Sequence, residues 1–152
     1  EVGRRLVVSG TQEGAEVGLG EGLAISREVG EGVREELAEK VEALRVAKRA
    51  RGGRKPYDVM AVAYFNDMAR ALREIHGVLK EGAHLVMVVG DSAPYGVHIP
   101  TDEYLGRIGV GVGFKWYRVI VIRERGRKWS YIADAGRRHG VKLRESLVIL
   151  QK

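Results

Sequence analysis

The residues most able to do chemistry stand at the end of an apolar run. The segment 84–89 (HLVMVV) stops at Gly90-Asp91-Ser92, and His98 follows in the next loop. An apolar strand that ends in small polar residues is where open α/β sheets keep their ligand sites. The competing reading gives Asp91 and Ser92 only the capping of a turn. A second group of candidates interleaves cations with aromatics: Arg123, Arg125, Arg127, Lys128, Trp129 and Tyr131, then Arg137 and Arg138. Such cations can neutralise phosphates while the aromatics stack on exposed bases. The competing reading there is a hairpin loop without a partner.

Charge is consistent with either reading of the second group. Residues 115–152 hold eleven Lys or Arg against three acids, a net of +8 within a chain whose total is +6. The rest is therefore close to neutral. A basic quarter on a nearly neutral body is the footprint of a polyanion-binding face, against the alternative of a solvated Arg-rich surface.

Composition removes several other classes. With no Cys, disulfides, thiol catalysis and zinc–thiolate sites are excluded. His76, His84, His98 and His139 never fall at the spacing of a helical metal site, so no metal is expected. No apolar run approaches the ~20 residues needed to span a bilayer, and no basic-then-apolar leader opens the sequence, so a cytoplasmic protein without membrane contact is expected. The start at Glu1 without Met suggests a processed or excised chain. A single Asn and two Gln beside abundant Arg and Glu resemble a thermophile's usage.

The elements that must position the candidates can be read from periodicity. Arg4 to Ser9 could form a short strand, and residues 17–22 imitate a glycine-rich phosphate loop without the strand and helix that such a loop needs. Val33, Leu37, Val41 and Leu44 predict a helix over 31–50, ended by the breaker 51–56 (RGGRKP). Pro56 opens a second helix over 57–79, whose apolar stripe runs Tyr57, Met60, Ala61, Tyr64, Met68, Leu72, Ile75 and Leu79. Met60, Tyr64 and Met68 are expected in ordinary core packing, and Gly82 beyond the helix end. The unbroken run 84–89 predicts a central strand of a parallel sheet, covered on both faces. Thr101 is the expected N-cap of a third helix, with Tyr104, Leu105, Ile108 and Val112 inward and Gly113 at its end. Strands are predicted over 114–123 and 146–150, and the long connection between them should pair them antiparallel.

Several segments also resemble one family, the DNA (cytosine-N4/adenine-N6) methyltransferases. Tyr64-Phe65-Asn66-Asp67-Met68 precedes Val78-Leu79-Lys80-Glu81-Gly82, where that family usually has a VLKPGG turn. Val88-Val89-Gly90-Asp91-Ser92 is similar to its VVGDS strand end, followed by Val97-His98-Ile99-Pro100-Thr101-Asp102. Lys142-Leu143-Arg144-Glu145-Ser146 and the strand after it resemble the family's closing segment. The resemblance covers residues 57 to 152 and lies in the order and spacing of the segments.

It implies part of a class I, Rossmann-like methyltransferase sheet flanked by helices, with a C-terminal antiparallel strand pair, in a single domain. It also implies S-adenosylmethionine as donor, DNA (or RNA) as substrate, and a base pocket lined by Asp91, Ser92 and His98. The chain's three prolines are not adjacent, so the family's Pro-Pro clamp for the exocyclic amine is absent, as is its donor-binding Asp-Pro-Phe-x-Gly-x-Gly segment. The expectation is thus a C-terminal part that is inactive alone, completed by an N-terminal catalytic portion or a complementary subunit. The alternative is a non-catalytic nucleic-acid-binding domain derived from the fold. An open sheet edge would favour a homodimer. The methyltransferase reading leans on an interior 84–89 strand whose tip shares an end of the domain with the cationic excursion.

Overall fold

The computed structural model describes residues 23–125 and 143–152. The expected strand at 4–9 and the glycine-rich segment 17–22 lie outside the described residues, as do Arg127, Lys128, Trp129, Tyr131, Arg137 and Arg138. The described elements are α1 (Glu31–Ala50), α2 (Tyr57–Val78), β1 (His84–Gly90), α3 (Thr101–Val112), β2 (Trp116–Arg125) and β3 (Leu143–Gln151). Short 3-10 turns occupy Arg27–Val29 and Pro94–Gly96. The architecture is mixed α/β, three helices with a three-stranded antiparallel sheet in the order β1-β3-β2.

α1 buries Val33, Leu37, Val41 and Leu44, the four positions that its spacing marks. Each buried aliphatic side chain of this kind contributes roughly 1.5–3 kcal/mol relative to exposure. α2 is turned from its expected orientation. Its most buried residues are Val62, Phe65, Ala69 and Leu72, whereas Met60, Tyr64 and Met68 are only partly buried. Ala61, Ala63 and Ala69 are buried with them, and the larger side chains at 60, 64 and 68 lie on the flank of this face. Gly82 follows the helix with φ 77°, a backbone conformation that favours glycine.

α3 lies against the sheet with Tyr104, Leu105 and Ile108 buried. Gly106 permits the close approach, since a Cβ there would come within 2.2 Å of the Tyr117 ring. Thr101 is not the cap. Pro100 holds the N-cap position without a side-chain bond, and the Thr101 hydroxyl instead donates to the Ile99 carbonyl at 3.3 Å.

β2 and β3 pair antiparallel as expected, and β3 lies between β1 and β2. The position of β1 corrects the sequence reading. Among the described residues it is an edge strand, antiparallel to β3, not the centre of a parallel sheet. Val89 on its inner face is buried, while Val86 and Val88 on the outer face are 54% and 71% exposed. An unbroken apolar run records that both faces are hydrophobic; it does not record which neighbours cover them. No helix among the described residues is long and apolar enough to cross a membrane.

Candidate functional site

The register fixes which end of the sheet carries the polar tip. Gly90, the last residue of β1, pairs with Glu145 near the start of β3, and Glu145 pairs with Arg123 near the end of β2. The tip of β1 therefore shares its end of the sheet with Arg125 and Leu143, the described residues that bracket 126–142.

Past the tip the chain turns back on itself. Ser92 and Ile99 form a two-residue bridge, the Ile99 amide donating to the Ser92 carbonyl at 2.8 Å. This closure brings His98 onto Asp91, with Nε2 2.8 Å from Oδ2. Asp91 is buried, and its carboxylate also lies 3.9 Å from the Arg144 guanidinium. Arg144 in turn grips Asp102 with two bonds, Nε to Oδ2 at 2.9 Å and Nη2 to Oδ1 at 3.2 Å. The buried Ser146 hydroxyl donates to Asp102 at 2.7 Å and the Glu103 amide at 2.9 Å. Burial alone would raise the Asp102 pKa, but the bonds from Arg144, Ser146 and the Glu103 amide outweigh it and hold the carboxyl below its ordinary range. The Arg144 guanidinium is stabilised in its charged form chiefly by the bond to Asp102.

Beside this network opens a cavity of about 640 Å³, within the size range of small-ligand sites. Asp91, Ser92 and Leu143 line one wall, and Tyr57, Met60, Tyr64 and Phe65 of α2 line another. Tyr95 closes a third side, its ring edge-on to Tyr57 at 5.2 Å. Burial raises the pKa of the Tyr64 phenol, so it stays a neutral donor well into the alkaline range. Aromatic walls with a few hydroxyl groups suit a flat heteroaromatic ring, which gains roughly 1–3 kcal/mol per stacked base.

The rim of the cavity is built by the loop between α1 and α2. Gly53, Arg54 and Lys55 line it, and Tyr95 clasps it: the Lys55 amide donates to the Tyr95 hydroxyl and that hydroxyl donates to the Lys55 carbonyl, both at 3.1 Å. Gly53 makes room for this clasp, because a Cβ there would lie 2.4 Å from the Tyr95 oxygen. Tyr95 itself adopts φ 50°, a left-handed conformation that costs a non-glycine residue roughly 1–2 kcal/mol. Strain of this kind concentrates at ligand clamps.

The expected site residues thus part company. Asp91 and Ser92 reach the cavity, whereas His98 is absent from its lining and serves to hold Asp91. Arg123 pairs with Glu145 at 2.7 Å on the outer face of the sheet, and that bond raises its pKa. Arg125 ends β2 opposite Leu143. Sequence reading missed Arg54, Lys55, Tyr95 and the Asp102–Arg144 pair. The motif RGGRKP was legible only as a helix breaker, though its cations were in plain view. The chain matches no protein-family model, no curated protein and no solved structure.

Proposed function

We propose that this chain is the C-terminal part of a DNA amino-methyltransferase of Rossmann-like class I architecture that uses S-adenosylmethionine to methylate an exocyclic amine of cytosine or adenine. One observation carries the reading. The polar tip of β1 borders an aromatic-walled cavity of about 640 Å³ at the sheet end that also carries the ends of the basic segment 126–142. A base turned out of its stack would lie between Tyr57, Tyr64 and Tyr95, with the Ser92 hydroxyl at its edge, while cations beyond Arg125 hold the strand. Among the described residues β1 is an edge strand, so an interior position is not among the supports of this reading. Its exposed Val86 and Val88 suit a strand that another portion of the enzyme covers.

The methyl donor does not fit the described residues. Its amino group and ribose hydroxyls call for accessible carboxylates, and the one carboxylate in the cavity wall, Asp91, is buried against His98 and Arg144. No step is therefore assigned to this chain beyond holding and orienting the base. The same observation favours a second reading, a nucleic-acid-binding domain without catalysis. Incubation of the chain with labelled donor and mixed DNA tests the first: no incorporation, with DNA binding that weakens as salt rises, is expected. Robust incorporation by the chain alone would refute the division of labour, and absence of DNA binding would refute both readings. Restoration of incorporation by a polypeptide carrying the clamp and donor motifs separates enzyme part from binding domain.

A further inference from the structure

We infer that Arg54 and Lys55, on the clasped loop between α1 and α2, form a phosphate seat for the nucleotide whose base enters the cavity. The inference rests on the base-site reading and adds to it a second anionic contact, distinct from the basic segment 126–142. Both side chains are exposed, and neither forms an ion pair with any described residue. That sets them apart from Arg45, Arg107, Arg123 and Arg144, each of which is held by a carboxylate. Two cations without an ion-pair partner among the described residues, at the mouth of an aromatic cavity, match a ligand with a flat ring at one end and a dianionic or diester phosphate at the other.

The loop is also pre-positioned. Tyr95 holds both the amide and the carbonyl of Lys55, so the fold itself sets the backbone at the two cations. The ring wall and the phosphate seat are then one unit, since Tyr95 belongs to both. A phosphate ester of a nucleoside is the smallest ligand that uses the two together. Its source would be a strand and not a free metabolite, because Arg125 and Leu143, which bracket the cation-rich sequence 126–142, lie at the same end of the sheet.

Calorimetric titration of the full chain with cytidine, cytidine 5′-monophosphate, adenosine 5′-monophosphate and short single-stranded oligonucleotides of the same bases tests this. The monophosphates should bind about tenfold tighter than the nucleoside, as one or two charge-assisted bonds imply. The double variant Arg54→Ala/Lys55→Ala should erase that difference, bringing monophosphate affinity down to that of the nucleoside. It should also reduce the salt slope for the oligonucleotide by about 0.7, for the one phosphate no longer neutralised. Equal binding of nucleoside and monophosphate by the wild-type chain would overturn the phosphate seat while leaving the base site standing. Absence of binding by both would overturn the base site and the seat together. A monophosphate that binds as tightly as the oligonucleotide would overturn the strand as its source. Lys55→Arg, which keeps the charge, should retain most of the difference; its complete loss there would also count against the seat.

Discussion

Two polar clusters adjoin the same cavity and are built on opposite terms. Around Asp102, every charge is answered from within: Arg144 forks onto it, Ser146 and the Glu103 amide complete it, and the carboxylate has no exposed surface. At the rim, Tyr95 holds the Lys55 backbone, yet the charges of Lys55 and its neighbour Arg54 have no described partner. The first arrangement holds the start of β3 to α3 and thereby sets the cavity wall at Leu143. The second leaves charge available to a ligand. A closed network rigidifies, and an open one binds.

Breaking the closed cluster should have the largest effect. Asp102→Ala leaves the buried Ser146 hydroxyl without its acceptor and Arg144 without its main partner, and should destabilise the chain by about 3 kcal/mol in urea unfolding. Acid should act through the same group. The folded pKa of Asp102 lies below its unfolded value of about 3.9, so its contribution is complete above that value. It should be lost as pH falls from there through the folded pKa. Unfolding curves against pH should therefore steepen below about pH 4 in the wild type and flatten in Asp102→Asn. The same steepness in both would place the acid sensitivity elsewhere.

Changes in the open cluster should separate binding from stability. Tyr64→Ala should weaken nucleotide binding by roughly tenfold, the equivalent of about 1.4 kcal/mol of lost stacking. Because burial keeps the phenol neutral, wild-type binding should not vary between about pH 7 and 9. Tyr95→Phe removes only the clasping hydroxyl and should cost the smallest amount, a partial loss of the preference for phosphate with unfolding unchanged within about 0.5 kcal/mol. If Tyr95→Phe behaved like Arg54→Ala/Lys55→Ala, the clasp would matter as much as the cations.

Elements with strong local signals were legible in the sequence. α1 kept its predicted bounds because four aliphatic residues at helical spacing and a Gly-Gly-containing breaker leave little choice. α3 ended at Gly113 and buried Tyr104, Leu105 and Ile108 for the same reason. The pairing of β1, antiparallel to β3 and at the edge among the described residues, was not legible, since pairing partners are set by contacts distant in sequence. Nor was the rotation of α2, because a stripe containing Met60, Tyr64 and Met68 scores as core by hydrophobicity alone. The small Ala61 and Ala69 are buried instead, and Met60 and Tyr64 line a cavity. For the site, Asp91 and Ser92 were visible as a strand tip. Tyr95, Lys55 and Gly53 meet across the cavity mouth only through the fold, and no local pattern joins them.

The central claim is that the hollow beside the β1 tip receives a nucleobase. Backbone amide shifts of the isotope-labelled chain, followed by NMR during titration with cytidine and adenosine monophosphates, test it most directly. Perturbations should group at Gly53, Arg54 and Lys55, at Tyr64, and at Ser92, Ala93 and Tyr95. Saturating nucleotide that moved none of these amides, or only those of the outer sheet face around Val86, Val88 and Ile149, would contradict it.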